Sequence, residues 1–304
     1  VGAFEQLRAS RDAGAILVLD GAMGTELQAR GVRMDSHAWC GLANLDEPQL
    51  VRAIHEDHIR AGAEVVITNT YMSGSGPMHR AGAGDRFAEG IANAVEAAQQ
   101  AVQDAAQRPV AIAGSVGATR WGRPEGEGRR AFRDGYARQM ELLAEGGVDL
   151  IALEMVTEPR LAEAALEAAL ESGLPVWLGL SMRAVGHDPI GYDSLPDLTE
   201  AQTVVQACLT SSLDAVNVMH TEIDDVSPAT AMLRPLWDGP LGVYPHHGRW
   251  SPPEWGFVDV DPDHLVELAG TWIELGATMV GGCCGLRTRH VAALRAAVDA
   301  RMSA

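Results

Sequence analysis

Leu150-Ile151-Ala152-Leu153-Glu154-Met155 is a short, unbroken apolar run that stops beside a carboxylate. Residues 158–172 follow with Ala, Glu and Leu at helical spacing, Gly173 closes that stretch, and Val176-Trp177-Leu178-Gly179-Leu180-Ser181-Met182 is apolar again. Continuous rather than alternating runs are expected of strands covered on both faces, and a helical stretch between two of them is a βαβ unit with parallel strands. The same alternation extends in both directions. Apolar runs occupy 16–21, 65–70, 110–116, 150–155, 176–182, 215–220, 241–246 and 279–284, eight in all, separated by 20 to 45 residues. Helical spacing fills 48–61, 86–107, 130–146, 199–212 and 261–276, and Gly62, Gly147, Gly173 and Gly276 stand where C-caps are expected. A last helix over 288–302 would close the architecture. Eight strand–helix repeats in 304 residues are the size of a (β/α)8 TIM barrel, one domain over 1–304. A doubly wound open sheet fits less well, because the count is eight and no Gly-rich nucleotide loop follows the first strand.

Composition narrows the chemistry. A net charge of −18 argues against a nucleic-acid backbone as partner. No long uncharged apolar run suggests a membrane span, and the first residues show no basic segment followed by an apolar one, so no secretory signal is expected. Four cysteines in a chain of this length are no disulfide framework, which suggests a reducing, cytoplasmic setting. All 23 basic residues are Arg. Without a lysine there can be no Schiff base and no P-loop lysine. Exposed barrel faces often pair into homo-oligomers, but no decisive patch is visible.

In a parallel barrel, active-site groups sit at the C-terminal strand ends. Read in order, those ends carry Asp20-Gly21, Thr68-Asn69-Thr70-Tyr71, Gly114-Ser115-Val116-Gly117, Glu154, Ser181-Met182, Asn217 to His220, Tyr244 to His247, and Cys283-Cys284. Two adjacent cysteines after Gly281-Gly282 deliver two thiolates to one point, which suits a soft or borderline metal, zinc first; the bland alternative is two small buried side chains. Asp20 and Glu154 facing one pocket would suit an ammonium group, or else would cap a helix or pair with an Arg. Thr68 and Thr70 share strand parity and offer neutral donors to a carboxylate. Cys40 and Cys208 read as structural, and His37, His55, His58, His79, His187, His264 and His290 form no clear constellation.

Asp20-Gly21-Ala22-Met23-Gly24-Thr25-Glu26-Leu27, Thr68-Asn69-Thr70-Tyr71, Gly114-Ser115-Val116-Gly117, Glu154, Val243-Tyr244-Pro245 and Gly281-Gly282-Cys283-Cys284-Gly285 occur in an order that resembles the homocysteine S-methyltransferase family. The resemblance spans about residues 10–300. It implies a (β/α)8 barrel, a Zn2+ ion held by three cysteines, and a place in methionine biosynthesis. Two of those cysteines would be Cys283 and Cys284. The acidic groups implied to hold the substrate amine are Asp20 and Glu154, which are also the candidate catalytic residues. A free thiol titrates near ~8.5 and is mostly protonated at neutral pH, whereas zinc coordination removes the proton. The activated sulfur would then take a methyl group from a positive sulfur or nitrogen.

The chain departs from the family pattern at two strands. The third cysteine should directly follow Asn217, where Val218 stands. His220 lies two residues further on, shares parity with Val218, and is a competent zinc ligand. After the seventh strand, Tyr244-Pro245-His246-His247-Gly248-Arg249-Trp250 replaces a Tyr-Pro-Asn-Ser-Gly-Glu type of segment. Arg249 would suit a carboxylate, and His246 or His247 could supply the missing ligand or a base. Trp121, in the loop after the third strand, could face a methyl-onium donor. The expected substrate-binding set is Asp20, Gly21, Thr68, Thr70, Ser115, Glu154, Asn217, Tyr244 and Arg249; the expected metal set is Cys283, Cys284 and His220. The partners would be a small thiol acceptor and a methyl donor. The alternatives are a metal-dependent hydrolase or lyase using His220, His246 and His247, and a non-catalytic relative that binds an amino acid or thiol.

Overall fold

The computed structural model describes residues 2–118, 129–184 and 195–302. The barrel strands are β1 (Leu17–Val18), β2 (Val65–Ile67), β3 (Ala111–Gly117), β4 (Leu150–Val156), β5 (Val176–Leu180), β6 (Ala215–Glu222), β7 (Leu241–His246) and, after a small antiparallel hairpin of β8 (Arg249–Ser251) and β9 (Glu254–Gly256), β10 (Met279–Val280). They form one parallel sheet in the order β1-β10-β7-β6-β5-β4-β3-β2. The sheet closes where Leu19 bridges Val65 and the Asp20 amide donates to the Val65 carbonyl at 2.9 Å. This is the (β/α)8 TIM barrel that the eight apolar runs predict.

Each run is apolar on both sides because each strand has two apolar neighbours. Leu17, Leu19, Val65, Ala111, Ala113, Leu150, Ala152, Trp177, Ala215, Met219, Tyr244 and Met279 fill the barrel interior. Val66, Ile112, Ile151, Leu153, Leu178, Val216, Val218 and Val243 face outward into the layer between sheet and helices. The helices are α1 (Ala3–Asp12), the short α2 (Gly24–Ala29) and α3 (Ala43–Asp46), α4 (Pro48–Arg60), the short α5 (Ser75–Arg80), and α6 (Phe87–Ala105), α7 (Arg129–Gly146), α8 (Pro159–Glu171), α9 (Leu198–Cys208), α10 (Val226–Leu233), α11 (Pro262–Glu274) and α12 (Thr288–Met302). Helices α4, α8 and α11 start with Pro at the first turn, where its missing N–H costs nothing. Helix α9 starts with a capping box between Asp197 and Glu200. Gly62, Gly147, Gly173 and Gly276 all take positive φ just past their helices, as their positions in the sequence predict.

Several boundaries differ from the expectation. Strands β2 and β10 end at Ile67 and Val280, so Thr68–Tyr71 and Cys283-Cys284 lie on turns above the sheet. Helix α9 stops at Cys208 rather than at 212. Helix α1 (Ala3–Asp12) was not evident in the pattern; its Phe4 packs against Trp177 at 6.3 Å between ring centroids, and its Arg11 meets Asp214, which also accepts the Trp177 indole N–H. That cluster lies at the end of the barrel where the strands begin. No helix among the described residues is long and apolar enough to cross a membrane.

Candidate active site

Two strands carry a register shift at the end where chemistry is expected. In β4 it falls between Leu153 and Val156, and in β6 between Met219 and Glu222. Met155 (φ 52°) and His220 (φ 42°) sit within the shifts in the left-handed region, which non-glycine residues seldom occupy. Such backbone costs about 1–3 kcal/mol per residue and persists only where the surroundings enforce it. The shift in β6 decides where His220 points. Simple alternation would send it outward with Val218, which is buried in the outer layer. The bulge re-aims it toward the mouth of the barrel. Parity with Val218 is therefore the wrong reason to group His220 with the cysteines; the irregularity brings them together.

His220 Nδ1 lies 3.3 Å from Cys283 Sγ, and Cys283 Sγ lies 3.8 Å from Cys284 Sγ. All three ligand atoms fall within 4.8 Å of one another, and among the described residues this is the one such group of His, Cys and carboxylate side chains. Tetrahedral zinc with Zn–S bonds of about 2.3 Å sets two sulfurs about 3.8 Å apart, so the donor set fits that ion. The hydrogen bond with Cys283, together with burial, pushes the Cys284 thiol well above its ordinary range. Burial and the neighbouring His246 keep His220 neutral, the form that ligates metal.

His246 and His247 turn elsewhere. His247 Nδ1 is 2.7 Å from Glu222 Oε1, and His246 Nε2 is 3.6 Å from Glu222 Oε2. The hydrogen bond with Glu222 raises the His247 pKa, while burial lowers that of His246. The His246 ring tilts over His220 with centroids 4.3 Å apart. The histidine trio required for a hydrolase-type metal is thus not assembled among the described residues.

Asp20 and Glu154 are both buried, at 2% and 7% exposure. Burial, opposed by the Ile67 amide donating to Oδ2 at 2.7 Å and reinforced by Glu154's charge, raises Asp20 well above the carboxylate range. Burial raises Glu154 to about 7, although Ser115 Oγ donates to it and the Tyr244 hydroxyl approaches beyond strict hydrogen-bond geometry. Burial thus makes both carboxyls resist ionising, a penalty that a cation beside them would offset.

The remaining expected residues fall into two groups. Thr68 and Thr70 do share a side, with hydroxyls 2.7 Å apart, but Thr70 donates to the Ser115 carbonyl at 2.6 Å and Thr68 accepts from the Ser115 amide at 3.1 Å. They brace the β3 end. Gly21 is held against the Leu286 carbonyl, where a Cβ would come within 2.7 Å. Asn217 is fully buried, in register with Gly179 and Gly242, its amide without a hydrogen-bond partner among the described residues. Arg249 is exposed on β8. Cys40 donates to Asn69 Oδ1 at 3.0 Å, and burial pushes its thiol, like that of Cys208, up to about 12. Trp121 and His187 lie outside the described residues.

Sequence reasoning missed an aromatic wall. Trp39 and Trp250 meet edge-on at 6.0 Å, Trp250 and Trp255 lie 6.4 Å apart, and Trp255 meets His220 at 5.8 Å and His246 at 5.4 Å. Cys283, Cys284 and Tyr71 belong to the same packed cluster. Among the described residues Trp39 is the third non-glycine residue at positive φ, 47°. The available signal was the density of Trp in 249–256 beside a candidate metal strand.

The family model for homocysteine S-methyltransferase matches residues 17–298. The chain belongs to that family. It is an S-methyltransferase. The homocysteine S-methyltransferase of Escherichia coli K12 is 30% identical, with 95% of this chain and 97% of that one aligned. Homocysteine S-methyltransferase 4 of Zea mays is 28% identical over 95% and 91%. A selenocysteine methyltransferase of Astragalus bisulcatus is 28% identical over 90% and 89%. Among solved structures, the metallated form of the Escherichia coli homocysteine methyltransferase MmuM superposes with a TM-score of 0.77 at 27% identity, covering 95% of this chain and 99% of that one. In the present chain His220, Cys283 and Cys284 stand together at the mouth of the barrel.

Proposed function

We propose that this S-methyltransferase moves a methyl group from a sulfonium or quaternary ammonium donor to the sulfur of homocysteine or a closely related thiol, at a zinc ion held by Cys283, Cys284 and His220. The observation that carries the reading is the convergence of those three ligand atoms within 4.8 Å, on the barrel end that also holds the paired carboxyls. Zinc, when bound, supplies an open position at which a substrate thiol is held as thiolate at neutral pH.

The chain's own groups do the rest. Asp20 and Glu154 receive the acceptor's ammonium and ionise as it enters. Ser115, fixed at its backbone by Thr68 and Thr70, orients Glu154 through its hydroxyl. Holding the amine fixes the distance between the carboxyls and the sulfur, and so selects an amino acid with a side-chain thiol. Trp39, Trp250 and Trp255 present ring faces and edges beside the cysteines, which suits the methyl-bearing cation by cation–π attraction and keeps water from the reacting sulfur. Partners are small molecules, and the setting is a reducing cytoplasm.

Elemental analysis of protein purified without chelator, beside Cys283→Ala and His220→Ala, tests the metal half. About one zinc per chain, lost in both variants, is expected. A parent that stays metal-free when zinc is supplied would sink it. Transfer from S-methylmethionine or betaine to homocysteine, followed as methionine, tests the reaction; transfer to neither homocysteine nor selenocysteine would overturn the acceptor class.

A further inference from the structure

His246 touches the metal group at its most delicate point. Its ring lies over the His220 ring with centroids 4.3 Å apart and also meets the His220 backbone, the residue at φ 42°. Glu222 is 3.6 Å from His246 Nε2 through one oxygen and bonds His247 Nδ1 at 2.7 Å through the other. Trp255 closes on both rings, at 5.8 Å from His220 and 5.4 Å from His246. His220 is therefore gripped on its ring face, on its ring edge and at its backbone.

An imidazole needs this grip more than a thiolate would. A cysteine sulfur can be approached by a metal over a wide cone, and only one torsion places it. An imidazole donates along one in-plane lone pair, so two torsions must be right and the correct nitrogen must be free of its proton. Here the ligand sits on a strained bulge, where the backbone alone does not fix it.

Resting on the zinc reading above, we infer that His246, anchored by Glu222, is a positioning residue that holds the His220 imidazole in its metal-binding orientation. It acts through His220 and not on the substrate. The pair of histidines after β7 is then the counterpart of the histidine on β6: a ligand that needs aiming, and the group that aims it.

The test is a double-mutant cycle read as metal affinity. Metal-free protein is titrated with Zn2+ against a chromophoric chelator in four forms: parent, His246→Ala, His220→Cys, and the double variant. In the parent background, His246→Ala is expected to weaken zinc binding 10- to 100-fold, the usual cost of losing a group that orients a metal ligand. In the His220→Cys background the same change should cost less than about 3-fold, because a thiolate has no ring to aim. Optical spectra of the Co2+-substituted forms should keep their thiolate charge-transfer bands while the d–d bands shift in His246→Ala. An equal loss in both backgrounds, or no loss in either, overturns the inference. Should His246→Ala fail to fold, Glu222→Gln, which keeps the shape of the side chain, serves in the same cycle under the same criteria. A parent that takes up no zinc defeats the zinc reading itself and is seen before any variant is made.

Discussion

Replacing Glu154 by Gln should make the ligand-free protein more stable while disabling it. The carboxyl of Glu154 is raised from an ordinary 4.5 to about 7, chiefly by burial. Its folded pKa is thus above its unfolded one, so the folded state binds the proton more tightly. Below pH 4.5 both states are protonated and the group is neutral in its effect. Between 4.5 and 7 the unfolded chain ionises and the folded one resists, so stability falls as pH rises, and the loss is complete above 7. At about 1.4 kcal/mol per tenfold change in proton affinity, the full penalty is about 3 kcal/mol. Gln matches the shape, can still accept from Ser115, and carries no such penalty. Urea unfolding of parent and Glu154→Gln from pH 4.5 to 8, with chelator present throughout so that metal occupancy is constant, should give curves that nearly coincide at pH 4.5 and separate by about 3 kcal/mol at pH 8, with the variant more stable. The same variant should bind homocysteine far more weakly, since one half of its ammonium receptor is gone. A separation that does not grow between pH 4.5 and 8 would refute the claim that Glu154 is held as a costly buried acid.

Three further outcomes follow from named contacts. Gly285 takes φ +82°, and a Cβ there would lie 2.0 Å from the His247 carbonyl oxygen, so Gly285→Ala should cost at least about 1–3 kcal/mol in urea unfolding and displace Cys284, with zinc affinity falling alongside; an unchanged midpoint and unchanged zinc content would refute this. His55 is fully buried, and burial lowers it from 6.5 to about 3, so the parent should lose about 2 kcal/mol from this group as pH falls from above 6.5 to 5. His55→Leu should remove that share of the acid sensitivity, and parallel pH–stability curves for the two proteins would contradict it. Trp250→Leu, which removes part of the wall away from the His220 ring, should raise KM for the onium donor several-fold while leaving homocysteine binding within about 2-fold, as measured by varying each substrate; equal changes for both would argue against a donor-facing wall.

The barrel was legible because its strands are apolar on both faces and its helices end on glycine, two signals that local sequence carries directly. Strand lengths were less legible. The run at 65–70 continues as Thr68-Asn69-Thr70 and that at 279–284 as Gly281-Gly282-Cys283-Cys284 past the strand ends, and nothing local marks where pairing stops. The convergence of Cys283 and Cys284 could be read from adjacency alone. Placing His220 needed the bulge in β6, and a bulge is a property of two strands in register, which composition and period do not encode. The hairpin 249–256 was hidden because Ser251-Pro252-Pro253 reads as loop, yet Trp250 and Trp255 oppose one another across it. Thr68 and Thr70 were placed on the same side by parity, but their hydroxyls are engaged by the Ser115 backbone, a partner 45 or more residues away that no local pattern reveals.

The barrel's seam is narrow, and Asp20 holds its pocket end. Beyond the bridge from Leu19 to Val65, the two ends of the sheet are fastened at the base by the Glu64 amide on the Val18 carbonyl at 2.7 Å and the Val18 amide on Glu64 Oε2 at 3.0 Å, and at the pocket end by the Asp20 amide on Val65 and by the Asp20 carboxyl, which takes the Ile67 N–H at 2.7 Å. Burial raises the Asp20 pKa well above the carboxylate range, and a protonated carboxyl is a weaker acceptor than a carboxylate. An ammonium ion arriving beside it favours the ionised form, the proton leaving to solvent, and the same oxygen then grips Ile67 harder. Filling the pocket should therefore tighten the seam, and the Ile67 amide should exchange with deuterium more slowly once the acceptor is in place.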